Sequence, residues 1–173
     1  KILFKDYCIA LSRGLPKSDL YLRAKAYWSS RIKTLSAGPD LPRVLTSSTS
    51  SDGGSEGGGG QNFYNQHRWL TKAEWSRAKK NCAHHAVTLP AMLLACYSLM
   101  LARFAGKKKF LLNILQCLRH QVHEDVNKLV GNCSYTILCD VDMRKPGNGA
   151  LTLFTAVKRV ALELSRNLEH SSM

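Results

Sequence analysis

The chain reads as a mixed α/β fold, helices packed on a sheet, and three features of the sequence point there. Apolar residues recur at helical spacing in several segments. Two short runs, 109–118 and 134–142, have the length and apolar character of strands. Gly, Pro and Ser clusters separate them. At 173 residues and 45% hydrophobic, one ordinary core is expected.

The elements follow in order. Residues 2–15 carry a mixed, weak pattern. Ser18 or Asp19 can cap a helix through Leu20, Ala24, Tyr27, Trp28, Ile32 and Leu35, which Gly38-Pro39 ends. Residues 46–62 (TSSTSSDGGSEGGGGQN) hold nothing apolar to bury. They read as a flexible insertion with a coil reach of about 20–25 Å. Asn62–Leu70 is rich in aromatics and is expected as a strand. Thr71-Lys72-Ala73-Glu74 has the capping-box pattern, opening a helix to about Ala83. His84–Val87 is a loop, and Thr88 caps a helix over 89–105 that Gly106 closes. The two strands come next, and Pro146 with two glycines makes a turn after the second. Leu153, Phe154, Val157, Val160, Ala161, Leu164 and Leu168 then form one face of a last amphipathic helix.

Charge and cysteines narrow the functional classes. The formal net charge is +13, from 25 basic and 12 acidic residues. Such a balance can serve nucleic acid or an anionic surface, so a small basic binding module is the alternative reading. The basic residues are spread along the chain, however, without a zinc-finger spacing or an aromatic-basic RNA motif, and nucleic acid is not the expected partner. The six cysteines include no Cys-x-x-Cys pair. Cys96, Cys117 and Cys139 lie in apolar runs, so buried free thiols and a cytoplasmic setting are expected. Leu89–Ala102, the longest apolar run, is too short to cross a bilayer. No membrane association is expected, and the first residue, Lys1, opens nothing resembling a signal peptide. The sequence starts without methionine and stops just past a helix, so the folded unit is expected to be larger.

Some constellations fail as sites. Gly57–Gly60 lacks the Lys-Ser/Thr ending of a phosphate loop. His84-His85 sits between two helices, and His120 with His123 is the only other close pair, so no metal site is expected. More informative is 107–142. Asn113 is a polar residue in an apolar strand, and a buried amide there must be paired or face a cavity. Gly131-Asn132-Cys133-Ser134 re-enters the sheet, placing Asn132 and Ser134 at a strand mouth, where sites are often built.

These segments carry a resemblance. FLLNILQCLRH, HEDVN and LVGNCSYTILCDVD, in this order, resemble the condensation-type domains of nonribosomal peptide synthetases, in their heterocyclization branch. Ala26-Tyr27-Trp28 with Gly38-Pro39-Asp40-Leu41-Pro42, Val87–Tyr97 with Leu101–Phe104, and Glu169-His170 are similar to further segments of that family. The resemblance covers about 26–170 apart from the insertion. It implies a chloramphenicol-acetyltransferase-like lobe, partial, with residues 1–173 spanning the end of a first lobe and the first part of a second. It implies peptidyl and aminoacyl carrier domains as partners, together with the missing remainder of the condensation domain. The phosphopantetheine arms of those carriers would supply the cofactor, with none held by the chain itself. The activity implied joins carrier-bound acyl and aminoacyl groups and cyclises a Cys, Ser or Thr adduct. By position the family's loop threonine falls on Ser134 and its acidic residue on Glu169, while Asn132 stands where it has Asp and Asn113 where it has Asn. The family's His-His-x-x-x-Asp pattern is absent, since Leu89 takes the sixth place. The chain alone is therefore expected to be inactive. Ser134 and Glu169 are expected within about 10 Å of each other, given strand and helix rise.

Overall fold

The computed structural model describes residues 2–42, 65–147 and 149–172. The insertion 46–62 and the first part of the expected strand 62–70 lie outside the described residues. Residues 65–70 form no strand. They are irregular and exposed, Trp69 by 88%. A strand needs a neighbour to satisfy its backbone, and no described segment offers one there.

Five helices and one hairpin make up the described fold. Helix α1 (Phe4–Gly14) leads through a short 3₁₀ turn to α2 (Asp19–Arg31), followed by α3 (Lys72–His84) and α4 (Leu89–Phe104). Strands β1 (Lys109–Cys117) and β2 (Ser134–Asp142) are joined by a loop with a 3₁₀ turn at Glu124–Lys128, and α5 (Leu153–Glu169) closes the order. No single helix among the described residues is long and apolar enough to cross a membrane.

The cap residues work as their chemistry dictates. The Ser18, Thr71, Thr88 and Thr152 hydroxyls each accept the N–H three residues on, and Glu74 accepts the Thr71 N–H in return. The end of α3 is a left-handed cap. Ala86 has φ 51°, the Val87 N–H donates to Cys82 O and the Ala86 N–H to Ala83 O. Helix α1 was not legible from its mixed sequence. Its Tyr7, only 3% exposed, packs with Phe4 and Leu11 on Val126 and Leu129 of the inter-strand loop, forming a second small core. Gly131 has no room for a side chain, because a Cβ there would collide with the Phe4 ring.

β1 and β2 pair antiparallel, with Ile114 opposite Ile137 and Cys117 opposite Ser134. One face, carrying Phe110, Leu112, Cys139 and Val141, packs on Ala91 and Ala95 of α4 and on Ala156, Val157 and Val160 of α5. The other face carries Asn113, Leu115 and Cys117 beside Ser134 and Thr136, all exposed. The α5 stripe is shifted from the expected one. Ala156 and Asn167 are buried, whereas Leu153 and Leu168 are 42% and 39% exposed, because the two ends of the helix overhang the small sheet.

All six cysteines are free. Cys96 and Cys117 are exposed rather than buried, since each falls on an outer face of its element, while Cys82 and Cys139 are buried. Burial pushes the Cys139 thiol up to about 12; the neighbouring Glu163 and Asp140 carboxylates act the same way and the Arg31 cation against it. A thiol held neutral neither titrates nor alkylates. Iodoacetamide at pH 8 is expected to label Cys8, Cys96 and Cys117 in the native chain and to leave Cys139 unmodified by peptide mass mapping. Equal labelling of Cys139 would contradict its burial. The raised pKa also has a stability consequence. The contribution is complete below the ordinary thiol pKa and is lost as pH rises from there through about 12.

Candidate functional site

The mouth of the hairpin is a groove built from three parts of the chain. Tyr7, Cys8 and Leu11 of α1 form one side; Leu118 and His120 the second; Asn132, Cys133 and Ser134 with Ser171 and Ser172 the third. Its volume is about 200 Å³. It continues into a larger groove of about 570 Å³, which shares Leu11, Leu15, Leu118, His120, Ser171 and Ser172. The Tyr7 hydroxyl accepts the His120 N–H at 3.0 Å, tying α1 to the groove. Burial holds the His120 pKa below its ordinary value, which favours the neutral ring.

The four residues singled out from sequence are placed differently. Ser134 is exposed at the start of β2 and lines the groove. Asn132 lines it too, but its side chain is engaged: Oδ1 accepts the Ser134 N–H at 2.9 Å, an Asx-type turn that sets the strand's entry. Asn113 is exposed on the open sheet face opposite Leu138, neither buried nor facing a cavity. The pleat sends it to the side that no described helix covers. Glu169, the last residue of α5, is exposed and is not among the groove's lining residues. The turn after it does reach the groove through Ser171 and Ser172.

A polar cluster missed in the sequence holds that turn in place. Asn167 is fully buried. Its Nδ2 donates to Leu138 O at 2.8 Å and to Glu163 Oε1 at 3.0 Å. Its Oδ1 accepts from the Tyr27 hydroxyl at 2.7 Å and from Arg31 Nη1 at 2.8 Å. Arg31 Nη2 donates to Glu163 Oε1 at 2.7 Å, and the same oxygen accepts the Asp140 N–H at 3.3 Å. Arg31 is partly buried yet its pKa is raised, because the gain from Glu163 and Tyr27 exceeds the desolvation that opposes it. Next to the cluster, Trp28 Nε1 donates to His170 O at 2.8 Å and the Tyr27 and His170 rings stack 4.0 Å apart. The readable signal was two polar pairs at helical i, i+4 spacing, Tyr27 with Arg31 and Glu163 with Asn167. Sequence alone does not say that they meet.

Along β2 the contacts march antiparallel to α5: Arg159 with Asp142 O, Glu163 with Asp140 N, Asn167 with Leu138 O. The C-terminal end of α5 is thereby carried back to the start of β2.

His123, Glu124 and Asp125 place possible metal-ligand atoms within 4.8 Å of one another. Two of the three are already used: His123 Nδ1 accepts the Asp125 N–H, and Lys128 pairs with the Asp125 carboxylate at 2.8 Å. They act as the cap of the 3₁₀ turn.

No protein-family model matches the chain. Curated proteins and solved structures do. The chain is 29% identical over 152 residues to phenyloxazoline synthase MbtB of Mycobacterium tuberculosis, covering 84% of this chain and 9% of that protein. It is 22% identical over 167 residues to pyochelin synthetase PchF of Pseudomonas aeruginosa, covering 96% of this chain and 8% of that one. The cyclization-docking bidomain of the EpoB nonribosomal peptide synthetase from Sorangium cellulosum superposes with a TM-score of 0.80 at 27% identity, over 96% of this chain and 31% of the bidomain. The chain thus spans under a tenth of these curated relatives and about a third of the solved bidomain. In sequence and in fold it is similar to a portion of the condensation-type domains of the nonribosomal peptide synthetases. Among these matches, EpoB is a cyclization-docking bidomain, to which the chain is similar in sequence as well as in fold.

Proposed function

We propose that the chain forms one wall of the chamber in which a heterocyclization domain joins two carrier-bound groups, comprising the end of a first lobe and the first part of a second. The observation that supports this most is the hairpin's asymmetry. The segments that resemble the family's form a sheet with one face packed on α4 and α5 and the other, bearing Asn113, Ser134 and Thr136, uncovered.

The partners in this reading are peptidyl and aminoacyl carrier domains, whose phosphopantetheine arms bring the thioesters. The amine of a Cys, Ser or Thr residue attacks the upstream thioester carbonyl, and the carrier thiol leaves. The side-chain thiol or hydroxyl then adds to the new amide carbonyl, and water is lost to give the ring. Both steps need proton transfer at fixed positions. The Ser134 hydroxyl at the groove mouth and the exposed Glu169 carboxylate are the proposed groups for it. Asn132 positions Ser134, and Asn113 contributes an amide to the chamber face.

Loaded carrier proteins mixed with the chain alone are expected to give no condensed product above background by mass spectrometry. Grafted in place of the matching third of the EpoB cyclization domain, the chain is expected to support product, with Ser134→Ala lowering the ratio of cyclised to linear product. Turnover by the chain alone, or a folded graft without product, would overturn the reading.

A further inference from the structure

Helix α5 and strand β2 run side by side in a fixed register. Arg159 meets Asp142 O, Glu163 meets Asp140 N and Asn167 meets Leu138 O, so four residues on the helix match two on the strand. The two advances are nearly equal in length, about 6 Å on the helix and about 6.8 Å on the strand. One step further, the register brings residue 171 to Thr136, and the next strand step reaches Ser134. Ser171 and Thr136 do line one cavity, of about 140 Å³, together with Trp28 and His170. Ser171 also lines both grooves at the hairpin mouth, the smaller of which holds Ser134. The turn after α5 is therefore a shared wall of all three cavities.

The helix ends at Glu169, so its ladder does not aim that turn. The His170 N–H donates to Asn167 O and the Ser171 N–H to Leu168 O, both at 3.2 Å, which closes the turn on its own helix only. Its direction comes from α2. Trp28, 8% exposed, donates Nε1 to His170 O at 2.8 Å, and the Tyr27 ring stacks on the His170 ring at 4.0 Å. The two α2 rings meet edge to face at 5.1 Å. The Arg31 guanidinium, bonded to Glu163 and Asn167, lies 5.3 and 6.0 Å from them and braces the pair. A slip of the turn by one strand residue, about 3.4 Å, would break the Trp28 bond and unstack the rings together.

We propose that Trp28 and Tyr27 are positioning residues: they hold the His170–Ser172 turn against the start of β2 and so set the space in front of the Ser134 hydroxyl. This rests on the reading of Ser134 as a proton-transfer group. Neither side chain is among the residues that line the groove holding Ser134, so both act through the turn.

Trp28→Phe keeps a buried aromatic ring and removes the N–H that His170 O accepts. In the chain itself it is expected to speed iodoacetamide alkylation of Cys133, which lines the small groove with Ser171 and Ser172. The rate relative to exposed Cys96 should rise at least about threefold by local opening, with Cys139 still unmodified because the core stays closed. In the graft into the EpoB cyclization domain, the ratio of cyclised to linear product should fall at least about threefold, and Trp28→Phe should have no further effect once Ser134 is replaced by alanine, because a residue acting through Ser134 is not additive with its loss. A role in stability alone would lower total product and act equally in both backgrounds. Tyr27→Leu removes the stacked ring, leaves the Trp28 bond and carries the same expectations; it decides if circular dichroism shows Trp28→Phe unfolded. A ratio that the folded variant leaves unchanged, a fall that is the same without the Ser134 hydroxyl, or an unchanged Cys133 rate overturns the positioning role and leaves the chamber reading standing. A folded graft of the unaltered chain that gives no product overturns the chamber reading, and the positioning role with it.

Discussion

Asn167→Leu is expected to lower stability by about 2–4 kcal/mol, because it strands several buried groups at once. Leucine matches asparagine in branching but is larger, so some overpacking adds to the loss of hydrogen bonds. Leu138 O loses its donor, the Tyr27 hydroxyl loses its acceptor and Arg31 loses one of its acceptors. Arg31 retains Glu163, so its charge is not left unpaired and the larger penalty of a broken buried ion pair is avoided. Asn167→Asp is an informative companion. It keeps the oxygen facing Tyr27 and Arg31 but turns the donor into a second acceptor against Leu138 O and the Glu163 carboxylate. Urea unfolding measures both, and the midpoint should fall with an unchanged slope. A loss below about 1 kcal/mol for Asn167→Leu, the worth of one ordinary hydrogen bond, would mean that the cluster is not buried as a unit.

Phe110→Ala is expected to cost about 3–5 kcal/mol, the range for an aromatic side chain removed from a closed core. Phe110 is fully buried on the covered face of β1, in the cluster shared with α4 and α5. Backbone pairing on one side and two helices on the other leave little freedom to collapse into the space. The comparison is Leu162→Ala on the outer side of α5, where the side chain is 53% exposed and a change within about 0.5 kcal/mol is expected. Similar losses at both positions would show that the faces have been assigned wrongly.

Several elements were legible because their determinants are local. The capping hydroxyls of Ser18, Thr71 and Thr88 satisfy N–H groups three residues away, so their identity announces a helix start wherever the chain folds. β2 runs over the residues expected, and β1 stops one residue short, since apolar character bounded by a glycine turn is again a local signal. The family resemblance rested on the same hairpin and on its order relative to α2 and α4.

What remained hidden depends on neighbours. Residues 65–70 have strand-like composition but no edge to pair with, and stay irregular. Helix α1 has a weak pattern of its own and is held by the loop beneath Tyr7 and Phe4. Asn167 reads as a polar break in an apolar stripe until Leu138, Tyr27 and Arg31 are brought around it. Asn113 and Ser134 share the strands that sequence assigns them, yet one stands on an uncovered face and the other at a groove. The sequence by itself determined the capped helices, the two paired strands and the family resemblance, because caps, periodicity and turns act within a few residues. Only the tertiary structure decided which polar groups are satisfied and what faces the groove, since a hydrogen bond depends on where its partner lies in space.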